Sequence, residues 1–174
     1  MPVKKVDSFC FHPDSKDRTR AMRQADPSKT PWTPLEKPLS QCKITMVSTA
    51  GIHLKSDRTF DYERERREPT WGDPTHREIP SSAEQDDCLY THLHIDTSFL
   101  EKDRNVAFPV DIFRDYAREG VIGSLAETLY SIMETLYSIM GYTPNFHPLV
   151  KKTAPLMAEK MRSEGVDAVF LFPV

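Results

Sequence analysis

The segment 166–174, VDAVFLFPV, constrains the fold more than any other part of the chain. It follows a helix-like stretch that stops at Gly165, and from Ala168 its apolar run is broken only by Pro173. A strand with one wet face alternates apolar and polar residues, whereas a strand that is apolar throughout has to be covered on both faces. That requirement points to helices layered on either side of a mostly parallel sheet. As a central strand, 166–172 turns Val169 and Leu171 toward one layer and Ala168, Phe170 and Phe172 toward the other.

The rest of the chain supplies the other elements of such a domain. KITMVST (43–49) is β-branched and apolar in the middle, closed by Ala50-Gly51, and reads as the first strand. CLYTHLHI (88–95) alternates and reads as a second, and VIGSLA (121–126) as a third. FPVDIFRDYAREG (108–120) has Pro109 in its first turn, a stripe of Ile112, Phe113, Tyr116 and Ala117, and Gly120 at its end, which predicts a helix. In 148–165, Pro155 limits the helix to a stretch with Thr153 as N-cap and Gly165 as C-cap. From Asp57 to Glu68 nine of twelve residues are charged, which predicts a solvated loop or short helix. ETLYSIM occurs twice in succession, at 127–133 and 134–140. Seven residues is close to two helical turns, so the doubling predicts a surface-lying helix. The expected fold is therefore α/β, a Rossmann-like three-layer domain over 41–174. Residues 1–40 carry six prolines and form an irregular arm that Trp32 and Leu35 can anchor.

Charge and cysteine usage narrow the function classes. Twenty-three basic against 26 acidic residues give a net charge of −3, which provides no general pull toward nucleic acid or an anionic membrane. No apolar run approaches the roughly 20 residues of a membrane span. The N-terminal MPVKKVDSFCFH has no apolar core behind its lysines, so it does not read as a secretory signal. Cys10, Cys42 and Cys88 are odd in number and far apart, which fits reduced thiols in the cytoplasm.

Three stretches hold candidate site residues. In THLHID (91–96), His92, His94 and Asp96 fall on one face of the expected strand. Such a set can hold a transition metal, but no further ligand stands at a known spacing, and the favoured readings are the polar lining of a cleft or hydrogen-bonded core histidines. In STAGIH (48–53), Ser48, Thr49 and Gly51 sit where a strand ends, the place where open α/β sheets bind ligands. In GDPTHREIP (72–80), Arg77 can pair with a substrate carboxylate, although a surface salt bridge is the favoured reading. No metal site and no catalytic nucleophile is assigned within the 174 residues.

Seven stretches taken together resemble the selenoprotein B family of glycine/sarcosine/betaine reductase, to which the D-proline reductase selenoprotein is similar. They are TPWTPLEKPLS (30–40), VSTAGIHLKSDRTFD (47–61), REPTWGDPTHREIP (67–80), THLHIDT (91–97), NVAFPVDIFRDYAREGVIGSLA (105–126), YSIMGY (137–142) and EGVDAVFLFPV (164–174). The chain departs from the family pattern at Leu129 and Leu136, where a histidine usually precedes the tyrosine, and in the doubled ETLYSIM.

The resemblance implies a subunit for reductive cleavage of the C–N bond in glycine, sarcosine, betaine or D-proline. It implies a selenocysteine/cysteine redox motif directly after the strand that matches VDAVFLFPV. On that expectation the domain is incomplete at its C-terminus, Val174 precedes a selenocysteine codon taken as a stop, and the chain alone is inactive. The resemblance further implies a pyruvoyl group on a partner subunit and a redox carrier protein, with no cofactor held in this chain. A homo-oligomer is compatible with it. The alternative is a non-catalytic binding or scaffold protein, or a general thiol-redox protein, on the same fold.

Overall fold

The computed structural model describes residues 33–68, 71–93, 95–132 and 147–174. Its strands are β1 (Lys43–Ser48), β2 (Ile52–Leu54), β3 (His76–Pro80), β4 (Cys88–Tyr90), β5 (Ser124–Leu125), β6 (Thr128–Ile132) and β7 (Ala168–Phe172). The helices are α1 (Tyr62–Arg67), α2 (Ser98–Lys102), α3 (Val110–Arg118) and α4 (Ala154–Ser163).

The main sheet is built around β1, whose residues from Ile44 to Ser48 are all buried. β1 runs parallel to β5, β6 and β7, with Ser48 opposite Ser131 on one side and Phe172 on the other. β3 closes the far side antiparallel to β6. Alternation along β1 and β6 divides the core in two. Ile44, Met46 and Leu129 join Phe108, Val110 and Phe113 on one face, while Val47, Tyr130 and Ile132 meet Met157 and Met161 of α4 on the other. This is the three-layer α/β arrangement expected from the sequence. β2 and β4 form a separate antiparallel ribbon.

Several expectations need correction. The first ETLYSIM copy forms strand β6 and is buried from Leu129 to Ile132; it is not a surface helix. Its T-L-Y-S-I alternation fits period two as well as period 3.6, and burial between two apolar layers decides for the strand. The second copy lies outside the described residues. CLYTHLHI is a strand only over Cys88–Tyr90, and it joins the ribbon instead of the main sheet. β7 is not central: among the described residues it pairs with β1 alone, leaving Phe170 41% and Leu171 69% exposed. An apolar run specifies that a strand seeks cover, not that this part of the chain provides it.

The helix ends show the same mixture. Gly165 ends α4 with φ +69°, and its N–H donates to the Arg162 carbonyl. Thr153 does not cap α4. A π turn over Leu149–Thr153 runs into the helix, and the Thr153 hydroxyl donates to the Pro74 carbonyl at 2.6 Å. Asp61 caps α1 by accepting from Arg64 N–H at 3.0 Å, so the charged stretch contains the short helix that its composition allowed. In α3 only Phe113 of the predicted stripe is buried, and Ile112 and Tyr116 are exposed. Leu35 is also exposed, and Trp32 lies outside the described residues.

Candidate functional site

The parallel strands β1, β6 and β7 end on one side of the sheet, and the 48–52 loop is fixed there by hydroxyl groups. Ser48 Oγ donates to the Ala107 carbonyl at 2.7 Å and accepts from Ala50 N–H at 3.2 Å. Ser131 Oγ accepts from Ile52 N–H at 2.8 Å. Between these anchors Gly51 turns the chain at φ +65°, a left-handed conformation that side chains disfavour. Thr49 grips the end of the described chain: its hydroxyl accepts from Val174 N–H at 2.9 Å and donates to the Val174 carbonyl at 3.4 Å.

The ribbon continues from this loop. Thr91 N–H donates to the Gly51 carbonyl at 2.9 Å, which brings the Ser48–Gly51 and 91–93 segments together. Beside the ribbon is a cleft of about 510 Å³, lined among others by His53, Lys55, Gln85, Tyr90 and His92. His53 is almost fully buried. Its Nδ1 lies 2.9 Å from the Leu54 carbonyl, which can only accept, and its Nε2 lies 2.9 Å from the Thr91 hydroxyl. In the neutral ring Nδ1 therefore carries the hydrogen and Thr91 donates to Nε2. Gln85 holds the wall by donating to Tyr90 Oη at 2.9 Å and to the Leu100 carbonyl at 2.8 Å. Burial pushes the Tyr90 hydroxyl up to about 12, so it stays protonated and able to donate at neutral pH.

A buried arginine braces both regions. Arg104 is 1% exposed and pairs with Asp111 at 2.9 Å, while its backbone N–H donates to Gln85 Oε1 at 2.7 Å. Asp111 also accepts from Arg114 and Asn105, fixing the segment that presents the Ala107 carbonyl to Ser48. Burial raises the Cys88 thiol above its ordinary value, against the opposing pull of Arg104. Cys88 is thus a neutral thiol at pH 7, poorly suited to attack.

The other predicted residues are placed as follows. Arg77 is committed to the fold: its guanidinium donates to the Arg58, Thr59 and His76 carbonyls and stacks 4.1 Å over Phe60. His92 lines the cleft, and Asp96 accepts from Ser98 N–H at 3.2 Å. Because the strand stops at Tyr90, these two do not share a strand face as expected, and His94 lies outside the described residues. No cluster of three metal-ligating side chains occurs among the described residues. Ser131, His53, Tyr90 and Arg104 escaped the sequence reading. Ser131 sits in the repeat taken for a helix. Tyr90 sits in a strand read for its histidines, and a buried arginine has no sequence signature.

The domain is therefore an open-sheet α/β unit that gathers polar loops beyond the carboxyl ends of its strands. The family model of glycine/sarcosine/betaine reductase selenoprotein B matches residues 19–173, and the chain belongs to that family. It is 33% identical over 140 residues to the D-proline reductase subunit gamma of Acetoanaerobium sticklandii, covering 80% of this chain and 52% of that protein. It is also 33% identical over 147 residues to the sarcosine reductase complex component B subunit beta of Peptoclostridium acidaminophilum, covering 82% of this chain and 30% of that protein. The chain thus spans about half, or less, of the length of these relatives. No solved structure matches it.

Proposed function

We propose that the chain forms part of a subunit of a reductase complex acting on glycine, sarcosine, betaine or D-proline. The family match over residues 19–173 carries this reading. The reaction is a reductive cleavage of a C–N bond, with two electrons drawn from a chalcogen pair that a redox carrier protein restores. The residues that attack are not assigned to Cys42 or Cys88, both of which are buried. The reading puts the selenocysteine/cysteine motif directly after Val174, as the resemblance gives it. In that position Thr49 holds the peptide leading into the motif, and the cleft beside Thr91 lies next to it.

The pyruvoyl group belongs to the partner subunit in this reading, so this chain needs no residues to hold it; when bound in the complex it activates the amine. The part left to this chain is to position the redox segment through the loop that Ser48, Thr49 and Gly51 shape, and to line the substrate cleft with His92. The reading keeps the cytoplasmic location that the odd, widely spaced cysteines lead us to expect; no helix among the described residues is long and apolar enough to cross a membrane.

The test is to read the codons after Val174 and to express the protein through them, with cysteine for selenocysteine, alongside the pyruvoyl-bearing subunit. Dithiol-dependent reduction of one of the four amines is expected, and none from the 174 residues alone. Assembly into the complex without reduction of any amine would make the chain a scaffold instead.

A further inference from the structure

The ribbon register decides which backbone groups face the cleft. Thr91 N–H donates to the Gly51 carbonyl and Lys55 N–H to the Asp87 carbonyl, with Leu89 opposite His53 between them. In an antiparallel pair the intervening residue turns both its backbone groups away from the partner. Tyr90 is that residue, and it lines the cleft. Neither its N–H nor its C=O has a hydrogen-bond partner among the described residues. The next rung is partly taken, since Cys88 N–H donates to the Gln85 carbonyl. One free N–H and C=O pair fits the carboxylate and amine of a single amino acid. An extended peptide would need several such rungs.

The charges around this rung match such a ligand. Lys55 stands on the cleft wall, as do Asp86 and Glu101. Neither Lys55 nor Asp86 has an ion-pair partner among the described residues. The two carboxylates disfavour a doubly charged anion and favour an ammonium group, while Lys55 favours one negative charge. Leu89 and Leu93 supply apolar cover. We propose that this cleft binds a small amino-acid-like zwitterion, its carboxylate on Tyr90 N–H and Lys55 and its amine on Tyr90 C=O and Asp86. The proposal rests on the reductase reading only for calling that ligand the substrate; binding stands on the cleft alone.

Calorimetric titration of the purified protein with D-proline and sarcosine tests it, with D-prolinamide, inorganic phosphate and a blocked extended peptide as comparisons. One of the two zwitterions is expected to saturate, and Lys55→Met to weaken it about tenfold, the usual loss for a charge-assisted hydrogen bond. Lys55 is exposed, so this change leaves the fold intact. The proposal is overturned if neither zwitterion saturates, if D-prolinamide binds as tightly, or if Lys55→Met binds unchanged. Tighter binding of phosphate, or of the peptide, overturns it in favour of a general anion site or a strand-docking edge. Zwitterion binding by a protein that reduces nothing in the complete complex keeps the cleft and sinks the reductase reading. Amine reduction that Lys55→Met leaves unaltered does the reverse.

Discussion

Single residues in this domain act through the loops they hold. Asp111 gathers Arg104, Asn105 and Arg114, and through them steadies both the Ala107 carbonyl and the Gln85 wall of the cleft. Asp111→Asn leaves the buried Arg104 without its countercharge and is expected to cost about 1–3 kcal/mol in urea unfolding. The Asp111 pKa is lowered: burial pushes it up, but hydrogen bonds from Arg104 and Asn105 and the nearby arginine charges outweigh this. A lowered carboxylate contributes stability above its unfolded pKa and loses it as pH falls through the folded one. The gap between wild type and Asp111→Asn should therefore close on the acid side of about pH 4, and a gap that persists there would show the loss to be steric. Tyr130 points the other way. Its hydroxyl is buried with no partner among the described residues, and burial pushes it up to about 12. Tyr130→Phe removes an unmet polar group and is expected to leave stability unchanged or raise it by about 1 kcal/mol. A loss of that size in the same assay would reveal a partner for the hydroxyl.

At the level of elements, β6 links the fold to the site, because Leu129 and Ile132 pack the two cores while Ser131 holds the loop leading into the ribbon. Ser131→Ala removes the acceptor that Ile52 N–H has among the described residues and is expected to cost about 1–2 kcal/mol, with faster hydrogen exchange at Ile52. Unchanged exchange there would mean that the loop is held by other contacts. This strand is also where reading from sequence failed. β1 was legible because its apolar run agrees with its burial, and α3 and α4 because proline and glycine mark their boundaries, although Ile112 and Tyr116 of the α3 stripe are exposed. β6 was hidden because a seven-residue repeat imitates helical spacing, and β3 because HREIP carries charges on its open side. Thr49 and Gly51 were legible as a strand end. The cleft was not, because its makers come from β2, β4, α2 and the 85–87 turn, which only the ribbon pairing brings together.

For the molecule as a whole, the exposed side of β7 is an open apolar surface among the described residues. Val169, Phe170 and Leu171 stand open beside a strand edge that has no partner among the described residues, with Phe170 touching Phe113 and Phe172. An open apolar edge of this kind recruits further strands. The 174-residue protein is expected to self-associate in light scattering, and Leu171→Lys to shift it toward monomer. A monodisperse wild-type monomer would show that the edge is tolerated as it stands. The pairing of β1 with β7 has a kinetic side as well. Ile44 and Ala168 are direct partners although 124 residues separate them along the chain (168 minus 44). Contacts between such distant residues form slowly, because the intervening chain must close first. During synthesis β1 leaves the ribosome those 124 residues (168 minus 44) ahead of its β7 partner, and until then Ile44, Met46 and Val47 wait for part of their cover. A stretch of chain that waits exposed for its partner is thus one that ends up buried from Ile44 to Ser48.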